Sequence, residues 1–240
     1  SRYSPEKVII NDINESITSI YSSIRNDYDV FIDRLNQLES QYLPLDKPSR
    51  KRFYYEIRDE HAWNYEKYSL RSEEAATLYF LMKTGFNGIF QINKNTNGRY
   101  GTPSGLLNQK DSVYDRKVLK WWNDKLQRTT ILSGSWKDAV AKAPSDTFFF
   151  FDPPYRNSFA DYGNSFNDKC LSELIDFASK KNQVMLSNRD DDGWLVDKRK
   201  GMSYTHFDVT YTAGRRKRTE EGYKAKPARE ILLYQNKVKG

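Results

Sequence analysis

The sequence predicts an α/β fold in which helices cover both faces of a mostly parallel sheet. Short apolar runs of strand length alternate with segments whose apolar residues recur at helical spacing, which is the pattern of strand–helix–strand units. The last two predicted strands are joined by a basic loop and no helix, which indicates an antiparallel pair at the end of the sheet.

The first part of the chain opens with a short strand and is then mostly helical. The apolar run Val8-Ile9-Ile10 leads into Asn11-Asp12, and helices are predicted over 13–24, 27–43, 50–68, 72–82 and 113–126. Segment 86–107 is dense in Gly and Asn and predicts a hairpin or loop lobe. We interpret Arg50-Lys51-Arg52 as solvent-facing and Trp121-Trp122 as packing a helix against the sheet.

In the second part the strand–helix alternation returns. Strands are predicted over 129–132, 146–151, 183–186, 205–212 and 229–234, with helices over 136–141, 167–179 and 191–198. Polar residues follow four of the strands, namely Asp12, Ser133, Asp152 and Ser187-Asn188. Parallel strands bring such ends to one edge of a sheet, where ligands bind in open α/β folds.

The composition argues against a membrane-spanning protein, a disulfide-bonded protein and a cysteine-based zinc site. The chain has 240 residues, of which 38% are hydrophobic, and it contains no apolar run of the roughly 20 residues that cross a membrane. Its start is polar, without a signal peptide, and a single cysteine, Cys170, excludes an internal disulfide and a cysteine-based zinc cluster. These features favour a cytoplasmic protein.

The charge balance points to a polyanionic partner. The net charge is +7. Arg215 and Arg216 belong to a basic run that follows a predicted strand, and this position makes the run a candidate for phosphate contact. We predict no metal site, because His61 and His206 have no third ligand nearby in sequence, and we interpret Asp190-Asp191-Asp192 as a solvated helix start.

The catalytic residues are predicted in one segment, in which Phe148–Phe151 are followed by Asp152-Pro153-Pro154-Tyr155. Four aromatic residues predict a buried strand, and the two prolines end it. A carboxylate and a rigid backbone carbonyl, both accepting from one exocyclic amine, would raise the nucleophilicity of its nitrogen, and Asp152 and Pro153 supply them. Tyr155 can stack on a base that has left its duplex. Asp12 could accept from a ribose diol or could cap the following helix.

Several segments, in order, resemble the Dam-type family of adenine-N6 DNA methyltransferases (class D12, alpha group). They are Ile10–Asn14, Lys83–Phe90, Asn97–Gly105, Asp152–Tyr155, Leu186–Asp190 and Tyr211–Arg216. The resemblance implies a Rossmann-like methyltransferase sheet with an inserted helical and hairpin DNA-recognition lobe. Residues 1–26 and 127–240 would form the catalytic domain, and 27–126 the target-recognition region.

The resemblance also implies S-adenosylmethionine as methyl donor and a flipped adenine in double-stranded DNA as target, in a bacterial or phage-encoded enzyme, with a monomer favoured. The expected catalytic residues are Asp152, Pro153, Pro154 and Tyr155, and the expected cofactor residues are Asp12, Ile13, Ser133 and Asp152. The expected DNA-binding residues are Phe86, Asn87, Asn93, Arg99, Arg215 and Arg216. Phe86 could fill the gap left by a flipped base or form a local hairpin core.

The family's first strand and Gly-rich cofactor loop have no counterpart ahead of Val8, so we expect both to be missing from this chain. That departure leaves a second hypothesis open, a catalytically impaired DNA-binding module of the same fold. Methylation of a protein amide is a weaker alternative, because relatives of that kind usually carry Asn where Asp152 stands. RNA adenine methylation remains compatible with the catalytic motif.

Overall fold

The computed structural model describes residues 5–156, 166–211, 217–219, 222–224 and 226–237. Over those residues the chain forms eight α-helices and ten strands, a mixed α/β fold as predicted. The helices are α1 (Glu15–Asn26), α2 (Tyr28–Tyr42), α3 (Lys47–Trp63), α4 (Arg71–Thr84), α5 (Arg116–Leu126), α6 (Trp136–Ala141), α7 (Asp168–Ala178) and α8 (Trp194–Lys198). The strands are β1 (Val8–Asp12), β2 (Ile92–Asn93), β3 (Arg99–Tyr100), β4 (Thr129–Ser133), β5 (Phe149–Phe151), β6 (Gln183–Arg189), β7 (Ser203–Tyr211), β8 (Lys217–Thr219), β9 (Gly222–Lys224) and β10 (Lys226–Asn236).

The chain divides into two compact units, Ser1–Ala143 and Pro144–Gly240. In the first unit α1, α2 and α4 pack around a core that includes Phe31, Leu35 and Phe80, all fully buried. β1 and β4 pair in parallel, with Asp12 opposite Ser133 at their carboxyl ends. The unit therefore presents two polar side chains at the end of a short parallel ladder.

Side-chain caps set where several helices begin. The Asn14 side chain accepts from the Ser16 amide at the start of α1, and Asp115 accepts from the amides of Lys117 and Val118 at the start of α5. Asn167 caps α7 in the same way. Each cap satisfies amide groups that the helix itself leaves unpaired.

The second unit is built on a four-stranded sheet in the order β5-β6-β10-β7. β5 and β6 are parallel, whereas β10 runs antiparallel to both β6 and β7. The predicted antiparallel pair is thus confirmed, and the two-stranded β8–β9 ladder lies between its members in sequence. On one face Phe177 of α7 packs against Phe149 and Phe151, with ring centroids 5.7 and 6.0 Å apart.

Three sequence interpretations are wrong. Phe148 and Phe150 are 52% and 59% exposed, because alternate residues of an extended segment point to opposite faces and α7 packs on the face that carries Phe149 and Phe151. Arg50 is buried, since it bonds backbone carbonyls of 43, 107 and 109. Trp121 and Trp122 remain exposed on α5, whose core contacts come from Leu119 and Leu126 instead.

Within the part of the chain that the structure covers, every helix is too short or too polar to cross a membrane.

Candidate active site and the 86–105 hairpin

The carboxyl end of β1 holds Asp12 in a defined orientation. Its Oδ1 accepts from the Asn14 amide at 2.8 Å, and its backbone carbonyl accepts from the Gly134 amide at 3.0 Å. The Asn11 side chain donates to the Gly134 carbonyl at 3.0 Å. Because Asn14 is the residue that caps α1, the interpretation of Asp12 as the helix cap is wrong.

Asp12 has a second carboxylate oxygen, Oδ2, besides the one that accepts from the Asn14 amide. Among the described residues, no donor bonds its Oδ2. The next residue, Ile13, is 55% exposed although it is apolar, and Ser133, opposite Asp12 in the ladder, is also exposed. An acceptor, an apolar surface and a hydroxyl therefore lie side by side in the first unit.

Asp152 follows β5 directly and is held by a serine of the adjacent strand. The Ser187 hydroxyl of β6 donates to Asp152 Oδ1 at 2.6 Å, while the Asp152 side chain stays exposed to solvent. The parallel pairing of Phe151 with Leu186 brings these next residues side by side. The other carboxylate oxygen of Asp152 has no donor among the described residues.

Asn188, the next residue of β6, is fully buried and binds the turn that follows Asp152. Its Oδ1 accepts from the Arg156 amide at 2.9 Å and from the Arg189 amide at 2.8 Å. Its Nδ2 donates to the Pro154 carbonyl at 3.4 Å. We call residues 152–156 the catalytic turn. One buried amide group thus contacts its backbone on both sides of Tyr155.

Arg156 ends the catalytic turn and is largely buried. Its guanidinium binds Asp168, at the start of α7, at 3.0 Å and Asp192 at 2.5 Å, and it lies 4.7 Å from the centre of the Trp194 ring. The guanidinium holds the pKa of the Asp192 carboxyl below its usual value, mainly through their hydrogen bond. Arg156 is not among the site residues predicted from the sequence, where its position directly after Tyr155 is the only signal for it.

The interpretation of residues 190–192 as a solvated helix start is wrong for Asp190. That side chain is buried, where it accepts from the Leu195 amide at 2.8 Å and lies 3.3 Å from His206 Nε2. Asp191 binds Arg189 and accepts from the Arg229 amide, and Asp192 binds Arg156. The three acids therefore join β6, β10 and the catalytic turn.

In the first unit, residues 86–105 form a hairpin, as predicted, and its backbone is fixed to α4. The Phe86 amide donates to the Pro103 carbonyl at 2.8 Å, which joins the two arms of the hairpin. The Gly105 amide donates to the carbonyl of Thr84, the last residue of α4, at 2.9 Å. A β-carbon at Gly105 would lie 2.7 Å from the Gly85 carbonyl oxygen, so glycine is required for this close approach. Tyr100 is buried beneath the hairpin and donates to the Leu81 carbonyl at 3.2 Å.

The predicted DNA-binding side chains of the hairpin differ in how the fold uses them. Phe86 is 39% exposed and does not form a hairpin core. Asn87 is exposed with a φ of 52°, and Asn93 is exposed while its Oδ1 accepts from the Asn95 amide. Arg99 binds Glu74 of α4 at 2.8 Å. Arg215 and Arg216 lie outside the described residues.

A buried histidine lies beneath the Arg99–Glu74 ion pair. His61 is 3% exposed, and its Nε2 is 3.7 Å from Glu74 Oε1, too far for a hydrogen bond. Burial, with the Arg99 charge adding to it, lowers the pKa of His61 to about 4. This histidine is therefore neutral near neutral pH.

The family model for D12 class N6 adenine-specific DNA methyltransferases matches residues 2–217. The chain belongs to this family. The predicted enzyme class, an adenine-specific DNA methyltransferase, is thereby confirmed.

Individual relatives agree with the family assignment. The type II methyltransferase M.MjaIII of Methanocaldococcus jannaschii is 32% identical over 98% of this chain and 82% of its own length. The DNA adenine methylase of Vibrio cholerae is 26% identical over 77% of this chain and 66% of its own length. The retron Ec67 DNA adenine methylase of Escherichia coli is 27% identical over 76% of this chain and 61% of its own length.

Proposed function

We propose that this protein transfers a methyl group from S-adenosylmethionine to the N6 amine of an adenine that has been flipped out of double-stranded DNA. The observation that carries the proposal is the catalytic turn. It presents the exposed Asp152 carboxylate with one oxygen held by Ser187 and the other without a donor among the described residues. A carboxylate in that state can accept a hydrogen bond from a substrate amine.

The chain's own groups would prepare the amine for attack. Asp152 would accept one N–H and the Pro153 carbonyl the other, which draws the nitrogen lone pair out of conjugation with the ring. Pro154 fixes the peptide that carries this carbonyl, so the acceptor needs little reorganisation. Tyr155 would stack on the adenine, whose removal from the duplex exposes its faces.

The first unit offers groups that fit S-adenosylmethionine. The free Oδ2 of Asp12 suits a ribose hydroxyl, and the exposed Ile13 suits the apolar face of the adenine of the cofactor. Ser133 is a further candidate donor beside Asp12. The bound cofactor would supply a sulfonium methyl group, an electrophile that needs no covalent enzyme intermediate.

We further propose that residues 1–26 and 127–240 form a Rossmann-like catalytic domain and that 27–126 form the target-recognition region. Among the described residues, β1 pairs only with β4 and β5 pairs only with β6, which leaves an edge of each strand able to accept another strand. A cytoplasmic location and a monomeric state remain proposals from the sequence.

The proposed DNA contacts come from the hairpin and the basic run. Phe86 would fill the space left by the flipped base, because its ring is exposed while its backbone is fixed to Pro103. Asn87 and Asn93 would contact base edges or phosphates, and Arg215 and Arg216 would contact phosphates.

The test uses radiolabelled S-adenosylmethionine, adenine-containing duplexes and three proteins: wild type, Asp152→Ala and the control Asp146→Ala. Asp146 is an exposed acid of the same unit that lies outside the catalytic turn. We expect wild type and control to form N6-methyladenine at similar rates, and Asp152→Ala to lose about 10³-fold or more while still binding DNA. Cofactor-bound wild type that forms no N6-methyladenine would refute the proposal, and DNA binding without cofactor affinity would favour the non-catalytic module.

A further inference from the structure

We propose that Asn188 and Arg156 are positioning residues that hold the catalytic turn in its reactive geometry, although neither touches a substrate. The inference rests on the proposed function, because it assigns these two residues to the step in which the turn meets the amine. It adds to that function a clamp assembled from the buried Asn188 of β6, the start of α7 and the segment before α8.

The clamp is needed because the catalytic turn has no regular secondary structure to hold it. Residues 152–155 belong to neither helix nor strand. The two prolines fix their own φ angles, and Pro154 also restricts the ψ angle of Pro153, so the ψ angle of Pro154 remains a soft variable of the turn. That angle sets where the Pro154 carbonyl points and how Tyr155 is placed, and the hydrogen bond from Asn188 Nδ2 to this carbonyl restrains it.

The carboxyl end of the turn is held from two sides. The Arg156 amide donates to Asn188 Oδ1 at 2.9 Å, while the Arg156 guanidinium binds Asp168 and Asp192 and stacks on Trp194. Charge-assisted bonds to two separate carboxylates give this residue one preferred placement. Tyr155 therefore lies between two restrained residues, Pro154 and Arg156.

Asn188 is suited to this role because burial makes its contacts obligatory. The side chain is fully buried, and both its oxygen and its nitrogen bond the backbone, so loss of either contact would leave an unpaired polar group in the interior. The turn cannot shift without breaking these bonds. A displacement of about 1 Å in a reacting group is enough to lower a rate about 100-fold.

The decisive measurement is single-turnover methylation at saturating DNA and cofactor, with separate titrations of DNA and of S-adenosylhomocysteine. We expect Asn188→Ala to lower the single-turnover rate about 100-fold with unchanged affinities. The matched control is Asn123→Ala. Asn123 is also buried and donates to the Ile24 carbonyl at 2.6 Å, but it belongs to α5 of the first unit and binds α1 there. The control should lose stability and keep its rate.

Arg156→Gln and Arg156→Lys keep the proposal testable if Asn188→Ala does not fold. Both leave the backbone bond to Asn188 in place. We expect Arg156→Gln to lower the rate about tenfold and Arg156→Lys to restore part of it, because one ammonium cannot bind both carboxylates as the guanidinium fork does.

Folded Asn188 and Arg156 variants with wild-type rates would overturn the clamp, as would an equal rate loss in Asn123→Ala. Wild type that transfers no methyl group would instead refute the proposed function, and the clamp with it.

Discussion

The hairpin and the catalytic turn are fixed by opposite means. The hairpin over 86–105 is held by bonds between backbone groups and by glycines that allow backbone segments to touch, while many of its side chains remain exposed. The turn over 152–156 is held by the side chains of Ser187, Asn188 and Arg156. The hairpin is closed largely by contacts between backbone groups and leaves side chains such as Phe86 and Asn87 exposed, whereas the turn is held by the side chains around it.

This difference matches the two tasks proposed for these regions. A DNA-reading element needs a rigid frame whose exposed side chains can differ with the sequence to be read. A reactive site needs a carboxylate and a carbonyl in one geometry, because the same amine is presented each time. Mutations in the hairpin should therefore change stability or DNA affinity, and mutations around the turn should change the rate.

Outside the catalytic turn, the largest expected effect is a loss of folding stability at acidic pH that is caused by His61. The folded protein favours the neutral form of His61. As the pH falls below 6.5, the unfolded chain therefore binds a proton at His61 before the folded protein does, and the free energy of unfolding decreases until about pH 4. This lowering of the His61 pKa corresponds to a loss of about 3 kcal/mol in the free energy of unfolding. Urea unfolding of wild type and His61→Phe at several pH values measures it.

His61→Phe should remove most of this pH dependence while Glu74 and Arg99, the charged groups beside the ring, are unchanged. Hydrogen exchange at pH 5.5 should show faster opening of the hairpin than of the β6 strand. If the free energy of unfolding depended on pH identically in the two proteins, His61 would not be the cause of the loss of stability at acidic pH.

A β-carbon at Gly105 tests the backbone half of the comparison. Gly105→Ala places a methyl group 2.7 and 2.9 Å from two backbone carbonyl oxygens, so the hairpin must move away from α4 at a cost of about 2 kcal/mol. Urea unfolding reports the cost, and DNA titration should show weaker binding.

The control for Gly105→Ala is Gly98→Asn. Gly98 has a φ of +68°, which asparagine tolerates, and a β-carbon there meets nothing within 4 Å. We expect this variant to unfold like wild type. Equal losses in both variants would mean that the close contact is not what destabilises Gly105→Ala.

The smallest expected effect is at the ion pair that joins β3 to α4. Arg99 and Glu74 are each 28% exposed, so Arg99→Gln should cost only about 0.5 kcal/mol, which a double-mutant cycle with Glu74→Gln isolates. The same variant decides whether Arg99 also contacts DNA. A phosphate contact would lower the slope of log affinity against log salt by about one, and an unchanged slope would exclude it.

Sequence reasoning located the elements because their signals are local. The helices α2 and α6 and the strand β1 lie where apolar spacing and polar ends placed them, and the hairpin followed from its Gly and Asn content. The wrong interpretations concern burial, which depends on what packs above a residue. Nothing in the local sequence distinguishes Arg50, buried against three carbonyls, from Lys51, which is exposed.

The same limit applies to the site. Asp152 and its flanking prolines carry their own signal, and Ser187 and Asn188 were visible as polar residues at the end of a strand. The partnership of Arg156 with Asp168 and Asp192 was not visible, because it joins residues 12 and 36 positions apart in sequence. Long-range ion pairs of this kind leave no periodic or compositional trace.

The tip of the hairpin has a consequence for how such a protein can diversify. Lys94, Asn95 and Asn97 are exposed, and the tip's internal bonds come from the Asn93 and Thr96 side chains and from the backbone. Substitutions at Lys94 and Asn95 should cost little stability, in the range of ordinary surface changes, whereas Asn97 has a φ of 54°, which favours Asn or Gly. Under the proposed role of the hairpin, descendants of this chain could vary Lys94 and Asn95 and explore new target sequences without first acquiring compensating mutations in the core.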